Sequence, residues 1–439
     1  MFCIINIMAG TLSFECSANK KKAIYKANEK IIFSAVLKED GVVPQDKTIT
    51  YDLYHDTKLI KRGKINAKEV LTLETSADTP CWIRVDLRVY DKQNKIVKQK
   101  NKRGKTVAFT GGIGAMVEPE KILPHLPEPD DFDEFWQKVR KELDAVPMTA
   151  KRTPVALSKN TAKKVVCYDV QISCAGDKSV SGYICIPKDA KPKSCPAYVS
   201  FHGAGVSSSG KNIGIAQKGL IALDINAHGI ENGKPQSFYD NLRKTYYYTT
   251  LDEFRKTRYS LWNKHDRDKY YFKGIYMRLM RALDYVKSLP EWDGKHLIVS
   301  GTSQGGAQVI AACGLDKDIT FARAGVPSMC DHGACLIGRH SGGPKLYTPE
   351  EHKANPAYAK CGSYYESASF AKRIKCPIYI NTGFTDIVCP PPSVFAAYNS
   401  IPAGVDKHMQ TTPDAGHGAA HTDGKNAINA YIRSVTEKK

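Results

Sequence analysis

The sequence predicts an α/β protein: a doubly wound, mostly parallel sheet preceded by an all-β sandwich of immunoglobulin-like type. Three observations carry that prediction. From about residue 130 onward, short apolar runs alternate with helical periodicity, as parallel strands buried beneath helices do. Before residue 112 the chain reads as strands and turns alone. At Leu297–Gly306 an apolar strand runs into a tight Gly-x-Ser-x-Gly turn and then a helix pattern.

Length and composition set the frame. The chain has 439 residues, room for two or three domains at roughly 100–200 residues each. We divide it into a β-sandwich over 1–112, a linker over 113–129 and an α/β unit over 130–439. Apolar residues make up 42% and charged residues 25%, which excludes disorder as the main description. No stretch approaches the roughly 18 uncharged apolar residues of a membrane-spanning helix. The net charge of +19 raises a nucleic-acid partner. However, the lysines are scattered, and the densest run (Lys95, Lys98, Lys100, Lys102, Arg103, Lys105) carries no recognition motif. A solvated basic surface is the plain reading, and an acidic polysaccharide partner is the sharper alternative. The 13 cysteines include no C-x-x-C pair, so a zinc ribbon or redox motif is not expected. Cys167, Cys174, Cys185 and Cys195 fall in or beside strand-like segments, where a buried free thiol is the default.

The elements follow in order. Met1–Gly10 is apolar without a basic start and reads either as the tail of a signal peptide or as a buried first strand. The runs 31–37, 48–54, 58–64, 70–74, 82–90 and 106–110 are rich in β-branched or aromatic residues. In 82–90, Ile83, Val85, Leu87 and Val89 alternate with Arg84, Asp86 and Arg88, marking a half-buried strand. Several such strands at short spacing suggest the sandwich. Gly111-Gly112-Ile113-Gly114 and a proline-spaced stretch (Pro119, Pro124, Pro127, Pro129) read as the linker. Asp130 or Asp131 can cap a helix to about Ala145, with Phe132, Phe135, Trp136 and Val139 on one face. The runs 196–201, 220–225, 297–300, 322–326 and 377–382 read as parallel strands. Helical spacing joins Tyr276, Leu279, Met280 and Leu283, then Ala307, Ile310 and Ala311, and closes the chain over 423–439.

The chemistry concentrates at Gly301-Thr302-Ser303-Gln304-Gly305-Gly306. A serine in a turn this tight sits above the sheet near the positive end of a helix, where developing negative charge is favoured. Its hydroxyl needs a base, and in such a fold the partners follow in the order acid, then histidine. Asp386, just past the strand 377–382, is the acid, with Asp414 as its rival. His417, in Pro413-Asp414-Ala415-Gly416-His417-Gly418, is the base, with His421 and His408 as rivals. The oxyanion donors are the backbone N–H groups of Gln304 and of Ala204, the latter in the His202-Gly203-Ala204-Gly205 loop. His202 reads as structural rather than as a second base. His332, His340 and His352 lack metal-ligand spacing, so neither a metal nor another cofactor is expected.

Over residues 118–435 the sequence resembles the acetyl xylan esterase / cephalosporin C deacetylase family, carbohydrate esterase family seven. The resemblance rests on Asp131-Phe132-Asp133-Glu134-Phe135-Trp136, Phe201-His202-Gly203, the run 268–276, Gly301–Gly306, Thr385-Asp386 with Pro390-Pro391, Phe395–Tyr398 and Gly416-His417. It implies an α/β-hydrolase fold, removal of acetyl groups from short xylo-oligosaccharides, and Ser303, Asp386 and His417 as the triad with Ala204 and Gln304 as oxyanion amides. The family often forms a ring-like hexamer, so a homo-oligomer is an expectation. The sequence departs from the family at Ala227-His228-Gly229, where Arg-Gly-Gln is usual, and at Gly418, where glutamate is usual. It departs again at Ala204, where tyrosine is frequent, and in the Gly/His/Cys-rich run 329–343.

The expected activity is therefore a serine carboxylesterase acting on O-acetylated oligosaccharide through an acyl-enzyme. The other readings are a peptidase or other ester hydrolase of this fold, and a non-catalytic glycan-binding protein. Phe238, Tyr239, Tyr246, Tyr247, Tyr248 and Trp262 form either a sugar-stacking wall or packed lid core. No nucleic-acid partner is expected. A bacterial periplasmic or secreted location is favoured over the cytoplasm.

Overall fold

Alternation organises the N-terminal strands: apolar side chains at every second position meet across two sheets. The computed structural model describes residues 11–100, 104–252 and 255–437. The Met1–Gly10 reading, Lys102 and Arg103 of the basic run, and the Tyr248 side chain lie outside what is described. The strands are β1 (Leu12–Ala18), β2 (Ile24–Tyr25), β3 (Ile31–Glu39), β4 (Thr48–His55), β5 (Lys58–Asn66), β6 (Leu71–Thr75), β7 (Cys81–Tyr90), β8 (Lys98–Lys100), β9 (Thr106–Ala108) and β10 (Thr110–Val117). One sheet has the order β1-β3-β6 and the other β2-β10-β7-β4-β5. Phe33, Leu37 and Leu73 of the first share one core with Ile83, Val85, Leu87 and Ile113 of the second.

The run Gly111-Gly112-Ile113-Gly114, expected in the linker, belongs to β10 and pairs with Arg84–Leu87 of β7. Its glycines serve close approach rather than chain flexibility. A Cβ at Gly114 would collide with the carbonyl oxygen of Phe384, and one at Gly112 would lie 2.5 Å from Val85 O and 3.4 Å from Thr385 Cγ2.

From residue 150 the chain adds β11 (Ala150–Pro154), β12 (Val165–Ile172), β13 (Val180–Pro187), β14 (Cys195–Phe201), β15 (Ile221–Ile225), a small hairpin of β16 (Thr249–Asp252) and β17 (Arg255–Thr257), β18 (Trp292–Thr302), β19 (Phe321–Gly325), β20 (Ile378–Gly383) and β21 (Lys407–Thr412). The main sheet has the order β11-β12-β13-β15-β14-β18-β19-β20-β21. It is mixed: β11, β12, β13 and β15 pair antiparallel, and every pairing from β15 to β21 is parallel.

The helices are α1 (Phe132–Asp144), α2 (Lys159–Ala162), α3 (Ile213–Ala216), α4 (Gln236–Tyr248), α5 (Tyr271–Lys287), α6 (Gln304–Leu315), α7 (Pro349–Ala354), α8 (Ala357–Ser363), α9 (Ser367–Ala371), α10 (Pro391–Asn399) and α11 (Thr422–Thr436). They cover both faces of the sheet. Ala197, Val199, Leu297 and Val299 point into the core shared with α1, α5 and α6, whereas Ile298 faces Ile428 and Ile432 of α11. No described helix is long and apolar enough to cross a membrane. Cys167 and Cys185 are buried free thiols, Cys174 is a half-buried one, and Cys195 is buried.

Burial also sets an acid limit. Desolvation holds His228, His332 and His421 down at about 3 and His340 at about 4, against 6.5 for a free imidazole. Between those values the unfolded chain binds more protons, so the contribution of these groups is full above pH 6.5 and is lost as pH falls. Glu366, raised to about 8 by burial and by Asp331, and Asp56, raised to about 6 by burial, oppose this with fewer groups. The urea midpoint is therefore expected to fall as pH drops from neutral toward 4, and His421→Gln to flatten that fall. An unchanged slope in the variant would contradict the assignment.

Candidate active site

Parallel strands deliver their following loops to one edge of the sheet, and the candidate residues sit there. β18 ends at Thr302 and α6 begins at Gln304, which leaves Ser303 alone to make the turn, with φ 61° and ψ −122°. That is a strained conformation for a residue with a Cβ. Its neighbours must be small: a Cβ at Gly301 would collide with Gly305 O, and one at Gly305 with Phe201 O. The turn is tied on both sides, since Ser303 N–H donates to Gly325 O at 2.8 Å and Ser328 N–H to Ser303 O at 3.1 Å.

The next two candidates meet the serine. His417 Nε2 lies 2.9 Å from Ser303 Oγ, and His417 Nδ1 lies 2.8 Å from Asp386 Oδ2. Asp386 is buried, and its Oδ1 accepts the backbone N–H groups of Val388 (2.8 Å) and Cys389 (3.0 Å). A carboxylate here can only accept, so Nδ1 carries the imidazole proton and Nε2 is free to accept from the serine hydroxyl. Cys389 approaches this pair closely enough that its sulfur, an Asp386 oxygen and a His417 nitrogen lie within 4.8 Å of one another. Burial and Asp386 push the Cys389 thiol well up, and the imidazole and carboxylate are engaged with each other. This donor set suits proton transfer better than thiolate ligation of a metal.

The rival residues lie elsewhere. His421 stands buried at the N-cap position of α11 without a capping side-chain hydrogen bond; His408 projects from β21, stacked on Tyr379 at 4.3 Å; Asp414 is exposed.

The loop after β14 reaches the nucleophile: a Cβ at Gly203 would lie 3.2 Å from Thr302 O and 3.8 Å from Ser303 Cβ. Ala204 is exposed there, and no acceptor among the described residues takes its N–H. Gln304, first residue of α6, has an N–H with no partner inside the helix. Two backbone donors thus flank Ser303. His202 turns away, its Nε2 2.5 Å from Asp224 Oδ1, and Asp224 also takes Gly210 N–H at 2.7 Å.

Sequence reasoning noted His228 only as a departure. Fully buried, it lies with Nε2 3.1 Å from Gly205 O and Nδ1 2.8 Å from Tyr271 Oη. A carbonyl only accepts, so Nε2–H donates to it and Nδ1 takes the phenol proton, which fixes a neutral ring against the oxyanion loop. Tyr259, also buried, donates to Gln304 Oε1 at 2.5 Å. Tyr246 stacks on Trp262 (5.7 Å), and Tyr246, Tyr259 and Tyr271 surround His228. These aromatic residues pack on one another and support the loop.

The chain matches the acetyl xylan esterase family over residues 118–434. An acetyl esterase of Xylanibacter ruminicola is 33% identical over 379 residues, 82% of this chain and 77% of that protein. An acetyl xylan esterase from a Paenibacillus species superposes with a TM-score of 0.61 at 26% identity, covering 72% of this chain and 98% of that one. Acetyl xylan esterase 1 from a Thermoanaerobacterium species gives 0.60 at 23% identity, with 72% and 98% covered, a likeness of fold.

Proposed function

The chain belongs to the acetyl xylan esterase family, and from that premise we propose that it is a serine deacetylase of acetylated xylo-oligosaccharides. Membership makes it a carboxylic ester hydrolase. The serine mechanism rests on one observation: a strained serine at a strand–helix elbow, 2.9 Å from an imidazole that is itself 2.8 Å from a buried carboxylate.

In the proposed reaction Ser303 Oγ attacks the acetyl carbonyl as His417 Nε2 takes its proton. Asp386 keeps the imidazole in the right tautomer and stabilises the imidazolium. The N–H groups of Gln304 and Ala204 hold the oxyanion. The imidazolium then protonates the departing sugar oxygen, leaving acetyl on Ser303. Water attacks this ester by the same route, releasing acetate and restoring the hydroxyl.

The xylan substrate rests on the relatives' names. The same proposal takes the β unit through the end of β10 at Val117 as an immunoglobulin-like sandwich, joined through residues 118–129 to the hydrolase unit from about 130. The single core beneath its two sheets supports this.

Acetate release from acetylated xylo-oligosaccharides, with 4-nitrophenyl acetate and butyrate alongside, tests the substrate. The expected result is sugar deacetylation with little butyrate cleavage. Turnover of both nitrophenyl esters without sugar deacetylation would remove the xylan assignment and keep the serine mechanism.

A further inference from the structure

The loops that carry Asp386 and His417 are seated on the N-terminal β strands. The Trp82 indole, fully buried, donates Nε1–H to Phe384 O at 2.8 Å. Gly114 N–H donates to Pro413 O at 2.8 Å. The Phe384 side chain, with Phe395 and Ala396 of α10, belongs to the core formed by β3, β7 and β10 rather than to that of the main sheet. The chain is thus seated in this core just before Asp386, at Phe384, and again beyond the loop, at α10. The two loops are also tied together: Phe384 N–H donates to Thr412 O at 2.9 Å and Thr385 N–H to Ala415 O at 3.0 Å. Gly112 and Gly114 lie where Thr385 and the Phe384 carbonyl come closest. The family match begins at residue 118, so β7 and β10 up to Val117 lie outside the matched span.

We propose that Trp82 and the glycine face of β10 are positioning elements of the active site, holding the acid and base loops in the register at which His417 meets both Ser303 and Asp386. The inference rests on the triad reading above. Asp386 is two residues beyond the carbonyl that Trp82 holds, and His417 four residues beyond the one that Gly114 holds. A buried carbonyl stripped of its donor shifts to find another. A displacement of about 1 Å can cost on the order of a hundredfold in rate. Ground-state binding of the sugar does not pass through these contacts, so the loss should appear in kcat.

The test uses full-length Trp82→Phe, which keeps a ring and removes only the N–H, and Gly114→Ala, which pushes on the Phe384 carbonyl while leaving Trp82 in place. Leu73→Ala, in the same core on β6 of the opposite sheet, is the control for lost stability, and Ser303→Ala is the control for the triad. Trp82→Phe is expected to lower kcat about tenfold or more with KM within about twofold. Gly114→Ala is expected to do the same, and it decides the matter if Trp82→Phe fails to fold. Leu73→Ala should lower the thermal midpoint and keep kcat. Wild-type kcat in folded Trp82→Phe and Gly114→Ala, or an equal kcat loss in Leu73→Ala, overturns the inference while Ser303→Ala stays inactive. An active Ser303→Ala overturns the triad reading itself.

Discussion

Ser303→Ala is expected to lower kcat for acetate release on the order of a millionfold, the scale seen when a serine hydrolase loses its nucleophile. The acetyl group then has no oxygen to accept it. His417 and the two backbone amides remain, so a small residual rate from oxyanion binding is the most that survives. KM for the sugar ester should change little, since Ser303 Oγ contributes to bond making rather than to holding the sugar. The fold should survive as well. Alanine occupies the same turn at φ 61°, and the two backbone hydrogen bonds that tie it do not involve the hydroxyl. Acetate release followed enzymatically, with the thermal midpoint measured on the same sample, checks both halves. Activity within tenfold of wild type would transfer the chemistry to another group.

Asp386→Asn is expected to cost about ten thousandfold in kcat with the geometry intact. The reason lies in the two backbone N–H groups of Val388 and Cys389, both aimed at Oδ1. An asparagine must leave its carbonyl oxygen there, because its NH2 would face two donors. The NH2 is then presented to His417 Nδ1, and the imidazole answers by moving its own proton to Nε2. That nitrogen now points a hydrogen at Ser303 Oγ and cannot act as a base. Asp414→Asn, altering an exposed side chain outside the hydrogen-bonded chain, should leave kcat near wild type. The reverse ranking of the two variants would make Asp414 the orienting acid.

The nucleophile was legible because its chemistry imposes a local pattern: an apolar strand, small residues on both sides of a serine, then a helix. Asp386 was legible from its place just past a strand end. His417 was preferred to His421 for its small flanking residues, although both follow a strand and precede the last helix. Tertiary placement separates them, bringing His417 to Ser303 and burying His421 at the start of α11. Gly111–Gly114 was read as linker because glycine signals flexibility and close approach alike. The partner that decides between them, Phe384, lies 270 residues away from Gly114 in the chain. His228 and Tyr259 escaped for the same reason: each acts through contacts to residues distant in the chain, and such contacts leave no periodicity.

The mechanism turns on acetyl passing through Ser303, and that can be observed directly. Enzyme mixed with excess 4-nitrophenyl acetate, quenched in acid within the first turnovers and digested, should yield the peptide containing Ser303 carrying one acetyl group. The mark should be absent from Ser303→Ala treated in the same way. Acetate release at full rate with the Ser303 peptide unmodified at every quench time, or acetyl found on the same peptide fraction of Ser303→Ala, would contradict the acyl-enzyme.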